Sequence, residues 1–168
     1  SSFSPTDELG DRLLQFLRHL HGHVSWERVL SGPGLTDLFR FVVSEAGESE
    51  PDWFLEADHS GDPVPAVSGM AHEGRCDISV RTLELFARLY GEEAGNLALK
   101  IMATGGVWVG GGIAPKIRRF LEDGAFMDGF LAKGRMRPLL ESMPVKIVLD
   151  DRAALLGAAR FAASLLTT

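Results

Sequence analysis

Cysteine is nearly absent from the 168 residues: Cys76 is alone. No intramolecular disulfide can form, and no Cys/His spacing supplies the three further ligands that a zinc site would need. Cys76 therefore reads as a partly buried structural thiol, packed like a small hydrophobe. Basic charge is also in deficit, with 17 Lys and Arg against 23 Asp and Glu and a formal charge of −6. That balance excludes the broad basic surface that phosphate-backbone binding requires, so no nucleic-acid partner is expected. Long apolar runs are missing too. None approaches the ~18 residues of a membrane span, and Ser1-Ser2-Phe3-Ser4-Pro5 has neither the basic nor the apolar region of a signal peptide, so the expected compartment is the cytoplasm. The last scarcity is of strands: only two short β-forming runs can be found.

Hydrophobic residues make up 45% of the chain, enough for one ordinary core. Between Asp7 and Leu20 the apolar residues Leu9, Leu13, Leu14, Phe16, Leu17 and Leu20 recur at three and four. This spacing predicts an amphipathic helix, capped by Ser4 or Thr6 and ended by Gly22. A helical turn at residues 25–30 leads to Ser31-Gly32-Pro33-Gly34, expected to break the chain tightly before an amphipathic run from Leu35 to Val43. Residues 44–65, rich in Gly, Glu, Asp, Ser and Pro, are expected to form a surface loop. Residues 76–103 carry the longest periodic pattern and predict a long helix. Its Gly91 and Gly95 each cost ~1 kcal/mol of helix propensity, which close approach of a neighbour would explain. Val107-Trp108-Val109 is expected as a short buried strand, followed by Gly110-Gly111-Gly112 and a helix opening at Ile113-Ala114-Pro115-Lys116. Short helices over 117–143, a second strand over Val145–Leu149 and an alanine-rich helix over Ala153–Leu166 complete a helix-rich α/β module. Two parallel strands make an incomplete sheet. Its uncovered edge calls for cover, by a second copy in a homodimer or by further chain.

Strand, glycines and helix is an order used for ligand binding, because a backbone without Cβ can lie against a flat ligand or a phosphate. The glycines could equally serve only to turn the chain. The G-x-G-x-x-G dinucleotide spacing is not met, and no Gly-Lys-Ser/Thr follows for a P-loop. Glu27, on a turn beside Trp26, could accept hydrogen bonds from vicinal sugar hydroxyls, or could pair with Arg28 or simply face solvent. His19, His21 and His23 alternate, a spacing that scatters them around a helix without completing a metal site. Asp151 fits an N-cap, and Lys133-Gly134-Arg135-Met136-Arg137 fits a solvated basic face or an anion contact.

The stretch Gly22-His23-Val24-Ser25-Trp26-Glu27-Arg28-Val29-Leu30-Ser31-Gly32-Pro33-Gly34-Leu35 closely resembles a segment of the bacterial glucokinase family. Gly95-Asn96-Leu97-Ala98-Leu99 and Gly105-Gly106-Val107-Trp108-Val109-Gly110-Gly111-Gly112-Ile113-Ala114-Pro115 are similar to that family's adenosine-side helix and glycine motif, in the same order. Lys133-Gly134-Arg135, Met143-Pro144-Val145 and Leu155-Leu156-Gly157-Ala158 continue the likeness. The resemblance implies the hexokinase and actin-like ATPase fold, with two ribonuclease-H-like domains, of which residues 1–168 would be the C-terminal part of the larger. It implies phosphorylation of glucose by ATP with Mg2+. Glu27 would bind glucose, Gly110, Gly111 and Gly112 would line the adenosine pocket, and Ser31, Gly32 and Asn96 would stand near the nucleotide. The family's phosphate motifs, catalytic aspartate and Glu-Gly-Gly-His motif would all precede Ser1. The chain is therefore expected to be inactive without an N-terminal portion. The competing expectation, from a different class, is a non-catalytic module that senses sugar or nucleotide.

Overall fold

The computed structural model describes residues 1–150 and 152–165. Helices dominate: α1 Glu8–His21, α2 Trp26–Val29, α3 Gly32–Ala46, α4 Asp52–His59, α5 Val64–His72 and α6 Asp77–Ile101 precede strand β1, Val107–Val109. Helices α7 Arg118–Glu122, α8 Ala125–Leu131 and α9 Arg137–Glu141 follow, with a 3-10 turn at Gly134–Met136, then strand β2 Val145–Ile147 and helix α10 Ala153–Leu165. The strands pair in parallel, Trp108 opposite Lys146. The chain is a helix-rich α/β module with a two-stranded sheet, and no described helix is long and apolar enough to cross a membrane.

Helix α6 is the spine, packed along α8, α3 and α5. Its meeting with α8 is backbone to backbone. A β-carbon on Gly91 would lie 1.9 Å from the Phe126 carbonyl oxygen, and one on Gly129 would lie 2.0 Å from that of Arg88. The small-residue patch is thus explained by close approach. Charge ties the same stretch of α6 to the start of α1. Arg88 pairs with Asp7 and lies 3.7 Å from the buried Glu92. Burial raises the Glu92 carboxyl above the ordinary range, against the pull of Arg88 and Lys133.

Several local expectations are corrected. Helix α1 is capped by Asp7, whose Oδ1 accepts from the Gly10 N–H at 2.8 Å, rather than by Ser4 or Thr6; Gly22 ends it as expected. Ser31-Gly32-Pro33-Gly34 is no break: Ser31 Oγ accepts from the Gly34 N–H at 3.1 Å, and the tetrapeptide is the cap and first turn of α3. Proline suits that turn because its missing N–H has no helical partner to lose. The predicted loop at 44–65 contains α4 and leads into α5. Phe54 stacks on Phe39 at 4.4 Å, and Arg40 reaches Asp58 at 2.5 Å and Glu50 at 3.4 Å, so two anchors fix a polar segment. The strand at 107–109 is not buried along its length, since Trp108 is 65% exposed, with Lys146 Nζ 4.8 Å from its ring centre. The second strand ends at Ile147, and Leu149 is exposed. Residues 113–117 make a separate turn before α7, interrupted at Ile117 with φ −108° and ψ 19°. Asp151 and Leu166 lie outside the described residues.

Two measurements test this packing. Gly91→Ala should cost about 1–3 kcal/mol or more, because a backbone carbonyl must move. Gly69→Ala, within α5 and with nothing near its Cβ position, should instead gain about 0.5–1 kcal/mol; urea denaturation reads both. Hydrogen bonding from Arg88 holds the Asp7 carboxyl below its usual range, with burial opposing. The wild-type advantage over Asp7→Asn should therefore be full above the unfolded carboxylate pKa near ~3.9 and vanish as pH falls through the lower folded value. Asp7→Ala should lose about 1 kcal/mol more, because the cap goes as well.

Candidate functional site

The sugar-side candidate rests on a short antiparallel pairing. Phe3 N–H donates to the Val24 carbonyl and Trp26 N–H to the Ser1 carbonyl, both at 3.0 Å, with Ser2 opposite Ser25. Ser25 Oγ caps α2 by accepting from the Arg28 N–H at 3.3 Å. Trp26 turns inward against Phe3, ring centroids 4.9 Å apart. On a helical turn, burying Trp26 sends its neighbour outward, and Glu27 is exposed. Neither Glu27 nor Arg28 enters an ion pair among the described residues. Of the alternatives open for Glu27, the pairing with Arg28 does not form and the side chain faces solvent.

Glu27 stands on a cleft of about 360 Å3 shared with Ser25, Arg28, Ser31, Pro33 and Asp37. Helices α2 and α3 can form this cleft because Gly34 has no side chain: a β-carbon there would lie 2.5 Å from the carbonyl oxygens of Arg28 and Val29. Gly32 borders an adjoining cleft of about 390 Å3 with Asp37, Arg40 and Asp58. Ser31 and Gly32 thus belong to the Glu27 side of the molecule. His21 Nε2 lies 2.7 Å from Asp37 Oδ2, a carboxylate contact that the sequence did not reveal. His23 instead meets the Ser2 hydroxyl at 3.1 Å. Among the described residues no three His, Cys, Asp or Glu side chains group as a metal site.

The glycine motif is tied to the middle of α6. Tyr90 Oη donates to the Gly110 carbonyl oxygen at 3.3 Å, and burial raises the phenol's pKa, which keeps that donor protonated. Gly111 has φ +96°, and Cβ atoms on Gly111 or Gly112 would meet nothing within 4 Å. The backbone is therefore open to a flat ligand. A separate apolar hollow of about 580 Å3 lies at the sheet, lined by Trp108, Leu121, Phe126 and Ile147, and does not include the glycines.

Asn96 hydrogen-bonds along α6 and not to the glycine motif among the described residues. Its Nδ2 donates to Glu93 Oε2 at 3.1 Å, while Ser1 Oγ donates to Glu93 Oε1 at 3.0 Å. Residue-by-residue reading of the sequence missed Glu93. The available signal was two carboxylates, Glu92 and Glu93, inside the apolar pattern of a long helix, where burial demands partners. Lys133, proposed as part of a solvated basic face, is half-buried beside this pair, and burial lowers its pKa against the pull of Glu92 and Glu93.

The comparisons agree with one another. A family model described as Glucokinase matches residues 1–165. The glucokinase of Nostoc punctiforme is 42% identical over 98% of this chain and 52% of its own length. That of Synechocystis sp. is 41% identical over 96% of this chain and 49% of its own. A crystal structure of glucokinase from an Antarctic psychrotroph superposes with a TM-score of 0.79 at 34% identity, covering 95% of this chain and 47% of that one. The glucokinase of Balamuthia mandrillaris, solved in complex with glucose, shares the fold at a TM-score of 0.68 and 19% identity, over 86% of this chain and 39% of that one. The chain spans about half the length of the curated relatives it matches.

Gly111→Ala should cost about 1–3 kcal/mol through backbone strain alone, because its surroundings are empty. Gly112→Ala should leave the melting temperature nearly unchanged. Loss of adenosine-nucleotide binding in Gly112→Ala at unchanged stability, read by calorimetry, is then a ligand effect.

Proposed function

The chain belongs to the glucokinase family, and we propose that it supplies one sugar-binding carboxylate and the adenosine-pocket wall of an enzyme that phosphorylates glucose with ATP. The observation that carries this reading is the state of Glu27: exposed, unpaired among the described residues, and held by a capped turn on a cleft that also presents two hydroxyls, Ser25 and Ser31. An unpaired carboxylate accepts hydrogen bonds from adjacent sugar hydroxyls, and the packing of Trp26 on Phe3 anchors the turn that carries it. Gly110, Gly111 and Gly112 supply a surface without side chains for the adenosine moiety. Ser31 and Gly32 border the clefts on the Glu27 side, and Asn96 is proposed near the nucleotide.

In the transfer, the 6-hydroxyl oxygen of glucose bonds to the γ-phosphorus of ATP while the bond from that phosphorus to the β,γ-bridging oxygen breaks. The hydroxyl proton passes to a base, and ADP leaves. This chain's part is binding and orientation, which count because a misplaced nucleophile forfeits most of the advantage of a preassembled site. The base, the phosphate donors and the Mg2+ ligands are assigned to the part of the relatives' length that this chain does not span; the described residues contain no cluster fit to hold the metal. The reading also places the chain as the C-terminal part of the larger of two ribonuclease-H-like domains in a cytoplasmic enzyme; the two-stranded sheet with exposed Trp108 supports only its cover by a further element.

The test is glucose-dependent ADP formation by this chain co-expressed with the N-terminal half of a relative. Turnover is expected only in the complemented sample, and Glu27→Gln should lower kcat/KM for glucose by about ten- to a hundredfold, the worth of one or two hydrogen bonds to a charged group. Glucose binding without turnover would move the reading to a sugar-sensing module. Full activity with Glu27→Gln would remove Glu27 from the site.

A further inference from the structure

We propose that Glu93 is the positioning residue for Glu27, setting the angle of the sugar-binding turn from the central helix; this rests on Glu27 being the sugar carboxylate. Glu93 is 9% exposed, yet both of its oxygens have partners: Oε1 accepts from Ser1 Oγ at 3.0 Å and Oε2 from Asn96 Nδ2 at 3.1 Å. Ser1 in turn offers its carbonyl to the N–H of Trp26, the first residue of α2. Glu27 is the next residue. A chain of three hydrogen bonds therefore runs from Asn96 on α6, through Glu93 and Ser1, to the turn that carries Glu27.

This path is stiff where it begins and local where it ends. Two turns of α6 around Glu93 are pressed against α8 at Gly91 and Gly95, so the carboxylate has a fixed base. Lys133, lying against Gly95, adds a cation nearby, and the buried charge is compensated without occupying either oxygen. At the far end, α2 has four residues, its start held by the Ser25 cap, the Ser1 carbonyl and the packing of Trp26 on Phe3. A helix so short does not hold its own direction. Removing Glu93 frees the Ser1 hydroxyl and loosens the Ser1 end of the pairing that aims Glu27, while the Phe3 N–H stays on the Val24 carbonyl. Glu93 touches neither reacting atoms nor, on this account, the sugar.

The account makes Asn96 a clamp on Glu93, so loss of Glu93 should strike glucose rather than nucleotide. In the complemented enzyme Glu93→Ala is expected to raise KM for glucose by about tenfold, with KM for ATP within about twofold. Glu93→Gln should restore near wild-type values, because its oxygen still accepts from Ser1 and its amide can donate to a flipped Asn96. Ser1→Ala should raise KM for glucose in the same direction, and Ser1→Ala with Glu93→Ala should be no worse than Glu93→Ala alone, since both cut one path. Amide hydrogen exchange on the 168-residue chain gives a second readout: the Trp26 amide should exchange faster in Glu93→Ala and recover in Glu93→Gln, while α4 and α5 stay as in wild type. An unchanged KM for glucose, equal rises for both substrates, or additive Ser1 and Glu93 effects would overturn the proposal. If the complemented wild type turns over no glucose, the functional reading fails by itself, and the Trp26 amide decides whether Glu93 holds the turn: acceleration with rescue sustains the link, and an unmoved Trp26 refutes it.

Discussion

The contact between α6 and α8 sets the rest of the molecule. With no side chain at Gly91 or Gly129, the two backbones approach until carbonyl oxygens occupy the space of the missing β-carbons. The cost is propensity, about 1 kcal/mol for each glycine inside a helix. What offsets it is burial: Phe126 and Phe130 come down against α6 and are excluded from water, each worth roughly 1.5–3 kcal/mol. A long helix clamped along its middle can then serve as a rigid base for the groups attached there.

Both candidate regions hang from that base. Tyr90 reaches the glycine motif through the Gly110 carbonyl, and Glu93 reaches the Glu27 turn through Ser1. They are three residues apart on one helix, so the distance between the proposed sugar carboxylate and the proposed nucleotide surface is set by α6 rather than by the loops that carry them. Arg88, a turn earlier, ties the start of α1 to the same helix through Asp7. Short elements such as α2 and β1 have little stability of their own, and they inherit order from these side-chain ties.

Helices with a clear apolar period were legible in the sequence. Leu13 and Leu17 of α1, and Leu83, Phe86 and Leu89 of α6, are buried where a 3.6-residue repeat puts them. Close approach at Gly91 and Gly95 was legible too, because glycine inside a strong helix needs a reason. The segment that became α4 was not, since its polar composition hides the two anchors, Phe54 on Phe39 and Asp58 on Arg40, both made back to the preceding helix α3. Ser31-Gly32-Pro33-Gly34 was misread for a related reason: the same residues that turn a chain also start a helix, and Ser31 Oγ accepting from the Gly34 N–H decides between them. Glu93 was out of reach because its partner Ser1 is 92 positions away. Glu27 and the glycine motif were found through a family resemblance, whereas the hydrogen bonds that orient them needed the fold.

The central claim is that the exposed Glu27 carboxylate, on a turn anchored by Trp26 and Ser1, grips the sugar. A crystal structure of the complemented enzyme soaked with glucose tests it most directly. The account predicts a Glu27 oxygen within hydrogen-bonding distance of a sugar hydroxyl, about 2.5–3.0 Å, with the Trp26 N–H still on the Ser1 carbonyl. Glucose bound elsewhere, with Glu27 left in solvent, would contradict it.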